Sequence, residues 1–188
     1  MRSEWTDDVA RHYAETYGEH ASHPIAVGLA EALPDDVVVD VGCGTGSVLR
    51  LLSKTVTTGR LVGVDPSPEM IRQAVARSVG HPAQDRLEFL EGAANALPVA
   101  DHSVTLFLAV HTVHHWDDVG EGLDELRRVV APGGRLLVCF EEKYGSFSAD
   151  LFAAMLSDMG FVDIDVGVYT VEEDEELQVI RARRRELP

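Results

Sequence analysis

Three places along the chain carry side chains suited to binding a ligand or moving a proton. The first is Asp40-Val41-Gly42-Cys43-Gly44-Thr45-Gly46, where a carboxylate stands two residues before three alternating glycines. Glycine tolerates positive φ, so a ligand can lie against bare main chain there. A helical pattern begins at Ser47 and would aim its free N–H groups at the same ligand. The second place is Asp65, which follows Gly46 by 19 residues, close to the offset of about 20 residues expected of a ribose-binding acid. One carboxylate can accept hydrogen bonds from both hydroxyls of a ribose. The third is His111, His114 and His115, three imidazoles in five residues at the end of an apolar run. Imidazole exchanges a proton near neutral pH, which suits a general base. The combination describes a nucleotide-like site with candidate bases beside it.

Each place also has competing readings. A dinucleotide turn needs its third glycine three residues after the second, and Ser47 stands at that position. Asp40 would also repel a pyrophosphate, whereas it suits a cation. Asp65 could instead cap a helix over 67–79, although Pro66 and Ser67 can serve that end themselves. The H-x-x-H-H spacing matches no standard metal signature. That leaves a substrate-side base or imidazoles bonded locally at a strand end. The acidic run from Glu172 to Glu176 and the arginines Arg181, Arg183, Arg184 and Arg185 read as solvated faces.

The elements around these residues alternate strand and helix. Val37 to Val41, Gly59 to Asp65, Arg86 to Leu90, Ser103 to Val110 and Arg135 to Phe140 read as strands, the first and fourth continuous enough to be buried on both faces. Asp117 to Val130 is an amphipathic helix with Val119, Leu123, Leu126, Val129 and Val130 inward. Pro132-Gly133-Gly134 is expected to stop it before the fifth strand begins. A helix over 148–159 precedes strands near 160–166 and 177–184. Ahead of the first strand, a polar segment over 3–18 holds Trp5, Tyr13 and Tyr17, and His23-Pro24 opens a second helical stretch to residue 32. Tyr13 and Tyr17, four apart, share a helix face.

The bulk properties narrow the function classes. At 188 residues the chain forms one domain with a proper core. Its formal charge of −16 repels polyanions, so no nucleic-acid partner is expected. Of its basic residues, only Lys54 and Lys143 are lysine. The two cysteines, Cys43 and Cys139, form neither a metal motif nor a disulfide framework. No secretory h-region and no long apolar run is present, so the expectation is a cytoplasmic protein with no membrane association.

Asp40 to Gly46 resembles the D-x-G-x-G-x-G motif of the class I S-adenosylmethionine-dependent methyltransferases, matching every defined position. Asp65-Pro66-Ser67-Pro68-Glu69-Met70 resembles the family's D-x-S-x-x-M, and the helix–Pro-Gly-Gly–strand passage resembles its L-x-P-G-G-x-L. Gly92 to Asp101 resembles G-D-A-x-x-L-P-x-x-D with Ala93 in place of the adenine-binding aspartate. His111 to Asp118 resembles the L-H-H-x-x-D or H-W segment of small-molecule methyltransferases, and not the motif that serves amide or adenine nitrogens.

The resemblance covers about residues 36–184. It implies an α/β, doubly wound Rossmann-like sheet of seven strands in the order 3-2-1-4-5-7-6, with strand 7 antiparallel and helices on both faces. It divides the chain into a helical lid segment over 1–35 and a cofactor-binding domain over 36–188. It implies S-adenosylmethionine as cofactor, held by Asp40, Gly42, Cys43, Gly44, Gly46, Asp65, Pro66, Met70, Ala93, Ala94 and Val110. A small-molecule acceptor would lie beside His111, His114 and His115, with no metal. Methyl transfer then needs positioning and water exclusion above all, and a base only where the acceptor carries a proton. Because few residues separate strands 5 and 6, the acceptor wall must come from the N-terminal helices, a homodimer partner or a large substrate. An oxidoreductase, a catalytically idle cofactor-binding module and a protein methyltransferase are the alternatives.

Overall fold

Strand β1, Val37–Val41, is the axis of the sheet. It pairs in parallel with β2 (Arg60–Asp65) on one side and β4 (Val104–Val110) on the other. Its side chains alternate between two cores, Val39 and Val41 on one face and Val38 on the other. A strand covered on both faces explains the unbroken run of valines. The computed structural model describes residues 6–141, 148–172 and 175–186. Trp5 and Lys143, and residues 173 and 174 of the acidic run, lie outside them.

The remaining strands are β3 (Leu87–Glu91), β5 (Val130–Phe140), β6 (Phe161–Glu172) and β7 (Glu175–Arg184). The sheet order is β3-β2-β1-β4-β5-β7-β6, with β7 antiparallel to both neighbours, as the family resemblance implies. Strand order therefore reverses between β1 and β4, where ligands of doubly wound sheets bind. On one face lie α5 (Val119–Val129) and α6 (Ala149–Asp158), with Leu123, Leu126, Phe152 and Leu156 in the core. On the other lie α2 (Ser22–Leu29) and α3 (Ser47–Leu52), contributing Ala26, Leu49 and Leu52.

Two elements differ from the sequence expectation. Pro132-Gly133-Gly134 does not separate helix from strand, because β5 begins at Val130 and contains all three residues. The register slips there, from Val104 opposite Val130 to Leu106 opposite Arg135, so the insertion is absorbed as a bulge. Strand β6 also runs on to Glu172, well past the expected end, because it zips onto β7 as a long hairpin. That hairpin carries Glu175 back toward the ligand side of the sheet.

The N-terminal helices are tied down by charge. Helix α1 (Asp7–Tyr17) packs on α4 (Pro68–Ser78), where Arg77 donates to the Ala14 carbonyl and Arg72 pairs with Asp7 at 2.8 Å. Asp36, buried before β1, accepts from Arg135 at 2.5 and 2.7 Å, from the Leu33 amide and from the Thr105 hydroxyl. A carboxylate so fully satisfied fixes where the segment enters the sheet.

Helix α4 starts at Ser67, whose hydroxyl accepts from the Met70 amide at 3.3 Å, with Pro68 and Glu69 in the first turn. Ser67→Ala is expected to lower stability by about 1 kcal/mol, the usual worth of such a cap. Urea unfolding measures it, and an unmoved midpoint would mean that the cap contributes nothing.

Candidate functional site

The β1–α3 turn is held open by its glycines in two ways. A Cβ on Gly42, at φ +72, would lie 1.9 Å from the Thr112 hydroxyl, so the bare backbone lets the β4 loop close against the turn. A Cβ on Gly44, at φ +52, would meet nothing within 4 Å, so that stretch of main chain lies naked on a cavity. The cavity has a volume of about 500 Å³ and is lined by Asp40, Gly42, Cys43, Gly44, Asp65, Pro66, Met70 and Val110, among others. Gly46, Ala93 and Ala94 lie outside the lining. Gly46 instead backs onto the Phe89 ring, and Ala93 bridges to Ala96 in its own turn. The Asn95 side chain, near the missing aspartate, is committed to Glu121 at 2.8 Å.

Two carboxylates are buried in this wall. Asp65 accepts from the Gly44 amide through one oxygen and from the Ser67 amide through the other, both at 2.9 Å. It thereby joins the glycine turn to the start of α4, and Ser67 takes the capping role. Burial still raises the Asp65 pKa, against the two amide donors that lower it. Asp40, 2% exposed, has no hydrogen-bond partner among the described residues. Its pKa is pushed up to about 8 by burial first and then by the charge of Asp65. A solitary buried carboxyl on a cavity wall is complementary to a cationic ligand group. Cys43 is neutral, because burial drives its thiol well above the usual range.

At the other end of the cavity are imidazoles. His111, His114 and His115 all line it, as expected of neighbours at the end of β4. His111 adopts φ +56, a left-handed conformation uncommon for a side-chain-bearing residue, and its amide is held by the Cys139 carbonyl at 2.8 Å. His114 and His115 sit in a short 3₁₀ turn with ring centroids 4.0 Å apart. Burial, then His115, brings the His114 pKa down to about 4, so His114 is neutral at physiological pH. Among the described residues, no three His, Cys, Asp or Glu side chains converge as a metal site.

Nothing local in the sequence marks His20, Glu141 or Glu175 as site residues, and His23 stands out there only as a helix start. All four line the cavity. His20 follows α1, Glu141 follows β5 and Glu175 opens β7, so only the tertiary fold brings them together. The acidic run is thus not wholly a solvated face: the Oε1 atom of Glu175 is buried, 3.5 Å from His20 Nε2. Nor does Arg184 only face solvent, since it donates to the Val130 carbonyl. Tyr13 and Tyr17, with ring centroids 4.9 Å apart, also line the cavity, and Tyr13 packs on the cluster of Ala10, Ala14 and Met70. Met70 therefore serves the core and the cavity wall together.

Residues 39–138 match the methyltransferase domain family. The chain is 34% identical over 113 residues to a demethylmenaquinone methyltransferase of Desulfitobacterium hafniense, covering 60% of this chain and 45% of that protein. It is 28% identical to the erythromycin 3''-O-methyltransferase of Saccharopolyspora erythraea, covering 79% and 58% respectively. The chain spans about half the length of the curated relatives it matches. Among solved structures it resembles Haemonchus contortus phosphoethanolamine N-methyltransferase 2 in complex with phosphomonomethylethanolamine and S-adenosylhomocysteine. That superposition has a TM-score of 0.81 at 14% identity and covers 98% of this chain and 59% of the other. At that identity the likeness is one of fold.

Proposed function

The chain belongs to the methyltransferase domain family, and on that premise we propose that it transfers a methyl group from S-adenosylmethionine to a small-molecule acceptor held at the histidine end of the cavity. The observation that carries this reading is the pair of buried carboxylates, Asp40 and Asp65, on one cavity wall beside the bare main chain of Gly44. These residues fit the cofactor. Asp40 offers a charge to its cationic amino group, and Asp65 keeps lone pairs for ribose hydroxyls beyond the two it gives to amides. Met70 and Pro66 supply apolar wall. When bound, S-adenosylmethionine supplies a methyl group on a positively charged sulfur.

The chain's own contribution is to bind, align and exclude water. In this reading residues 1–35 are a lid segment, with Tyr13, Tyr17, His20 and His23 as its face toward the cavity. Thr45 and Ser47 fasten it, donating to the Gly18 carbonyl at 2.7 Å and to Glu19 at 2.8 Å. Glu19 thus stands at the start of α3, where a dinucleotide would need to place its pyrophosphate, which argues against an oxidoreductase. His111 serves as base for an acceptor that arrives as a neutral O–H. It would take the hydroxyl proton of that acceptor, and the bound cofactor would supply the methyl group that replaces it on oxygen. Glu141 Oε1, 3.9 Å from His111 Nδ1, stabilises the resulting imidazolium.

Titration calorimetry with S-adenosylmethionine, S-adenosylhomocysteine and NAD tests the cofactor, with binding of the first two and none of NAD expected. Silence from both sulfur ligands would favour the idle-module reading, in which Ala93 has cost the adenine contact. Asp65→Ala is expected to weaken S-adenosylhomocysteine by at least ~1.5 kcal/mol, the loss of hydrogen bonds to a charged group. Unchanged affinity would remove Asp65 from the site.

A further inference from the structure

The geometry points to a relay, Glu175–His20–Ser22, that holds His111 in the tautomer with its proton on Nε2 and its lone pair on Nδ1. This inference rests on the reading of His111 as the base and adds to it which nitrogen accepts the proton and what fixes that choice.

The backbone amide of Ser22 donates to His20 Nδ1 at 3.3 Å, so that nitrogen carries a lone pair. In a neutral imidazole the other nitrogen then bears the proton. His20 Nε2 lies 3.5 Å from the buried Glu175 Oε1, which has no hydrogen-bond partner among the described residues, so the proton faces a carboxylate. The Ser22 hydroxyl approaches His20 Nδ1 to 2.8 Å. Since that nitrogen is an acceptor, the hydroxyl must donate to it; otherwise two lone pairs would face each other. The single hydroxyl proton is then spent. The same oxygen lies 2.7 Å from His111 Nε2, and can only accept there. His111 therefore donates from Nε2, and in the neutral ring Nδ1, on the Glu141 side, holds the lone pair.

The parts come from three separate elements. Ser22 is fully buried at the start of α2, Glu175 begins β7, and His111 is held at the β4 end with its ring edge-on to His20 at 5.2 Å. Ser22 does not line the cavity, so it touches neither ligand. Ser22, His20 and Glu175 are positioning residues, acting through His111.

Two-bond 1H–15N spectra of the histidine-labelled protein at neutral pH, saturated with S-adenosylhomocysteine, read the tautomers directly. His111→Gln assigns the His111 signals by their loss. The expected result is a single Nε2–H tautomer for both His20 and His111. Ser22→Ala should abolish the single tautomer of His111 while leaving S-adenosylhomocysteine affinity within about twofold. His20→Phe should free the Ser22 hydroxyl to donate to His111 Nε2, giving the same loss by a different route. An Nδ1–H tautomer for His111 in the unaltered protein would overturn the relay, as would a His111 tautomer indifferent to both substitutions. A relay that fails while S-adenosylhomocysteine still binds leaves the methyltransferase reading intact. Absence of that binding in the unaltered protein sinks the methyltransferase reading instead.

Discussion

Gly42→Ala is expected to destabilise the protein by roughly 2–5 kcal/mol and to abolish measurable S-adenosylhomocysteine binding. Two separate costs combine. The residue sits at φ +72, where an L side chain pays about 1–2 kcal/mol for crowding its own carbonyl. The new Cβ would also fall 1.9 Å from the Thr112 Oγ1 and 2.5 Å from its Cβ. Thr112 is 7% exposed and has no room to retreat, so overpacking adds roughly 1–3 kcal/mol. The strain is relieved by pushing the β1–α3 turn away from the β4 end, which moves Gly44 and His111 relative to each other. A double-substitution cycle separates the parts. Thr112→Ala removes the hydroxyl but keeps the Cβ that would still overlap, so it should rescue little. Thr112→Gly removes both and should recover the overpacking share, leaving the backbone share. Denaturant midpoints and calorimetry read the two effects. Full binding by Gly42→Ala would show that the turn can shift without consequence.

How much of this was legible in the sequence depends on whether the information was local. The glycine turn, Asp65 and the alternation of strands and helices follow from neighbours in the chain, and all stand where the spacing puts them. The sheet order came with the family resemblance and not from periodicity. Pro132-Gly133-Gly134 misled because proline and glycine usually end an element, yet an edge-like bulge can host them inside a strand. Glu175 was illegible for a different reason. A glutamate among acidic neighbours carries no mark that its hairpin will turn it inward. Likewise His20 and Ser22 lie 91 and 89 residues before His111, and only the folded lid segment brings them to it. The glycine-turn end of the cavity was written in short local motifs; the histidine end was written in contacts between distant segments.

The affinity for S-adenosylhomocysteine is expected to rise about tenfold per pH unit between pH 5.5 and 7.5. The cause is Asp40, whose carboxyl is held neutral up to about pH 8 in the empty site by burial and by Asp65. In the ligand-free protein this raised pKa adds stability that is complete below the unfolded value and is lost as pH rises through about 8. A ligand with a cationic amino group needs the ionised form, so binding in this window releases one proton, and one proton per unit is worth about 1.4 kcal/mol. The sign is therefore fixed: tighter binding at higher pH, levelling off near 8. Of the groups near Asp40, the Cys43 and Cys139 thiols are driven by burial far above this window and stay neutral through it, while burial raises the Asp65 carboxyl in the same direction as that of Asp40. His23 and His114 titrate near 4, below the window. Asp40→Asn should bind with a nearly flat profile and fall further behind the unaltered protein as pH rises. A flat profile in the unaltered protein would mean that Asp40 is already ionised before the ligand arrives, and the buried wall would then owe its fit to shape and hydrogen bonds rather than to charge.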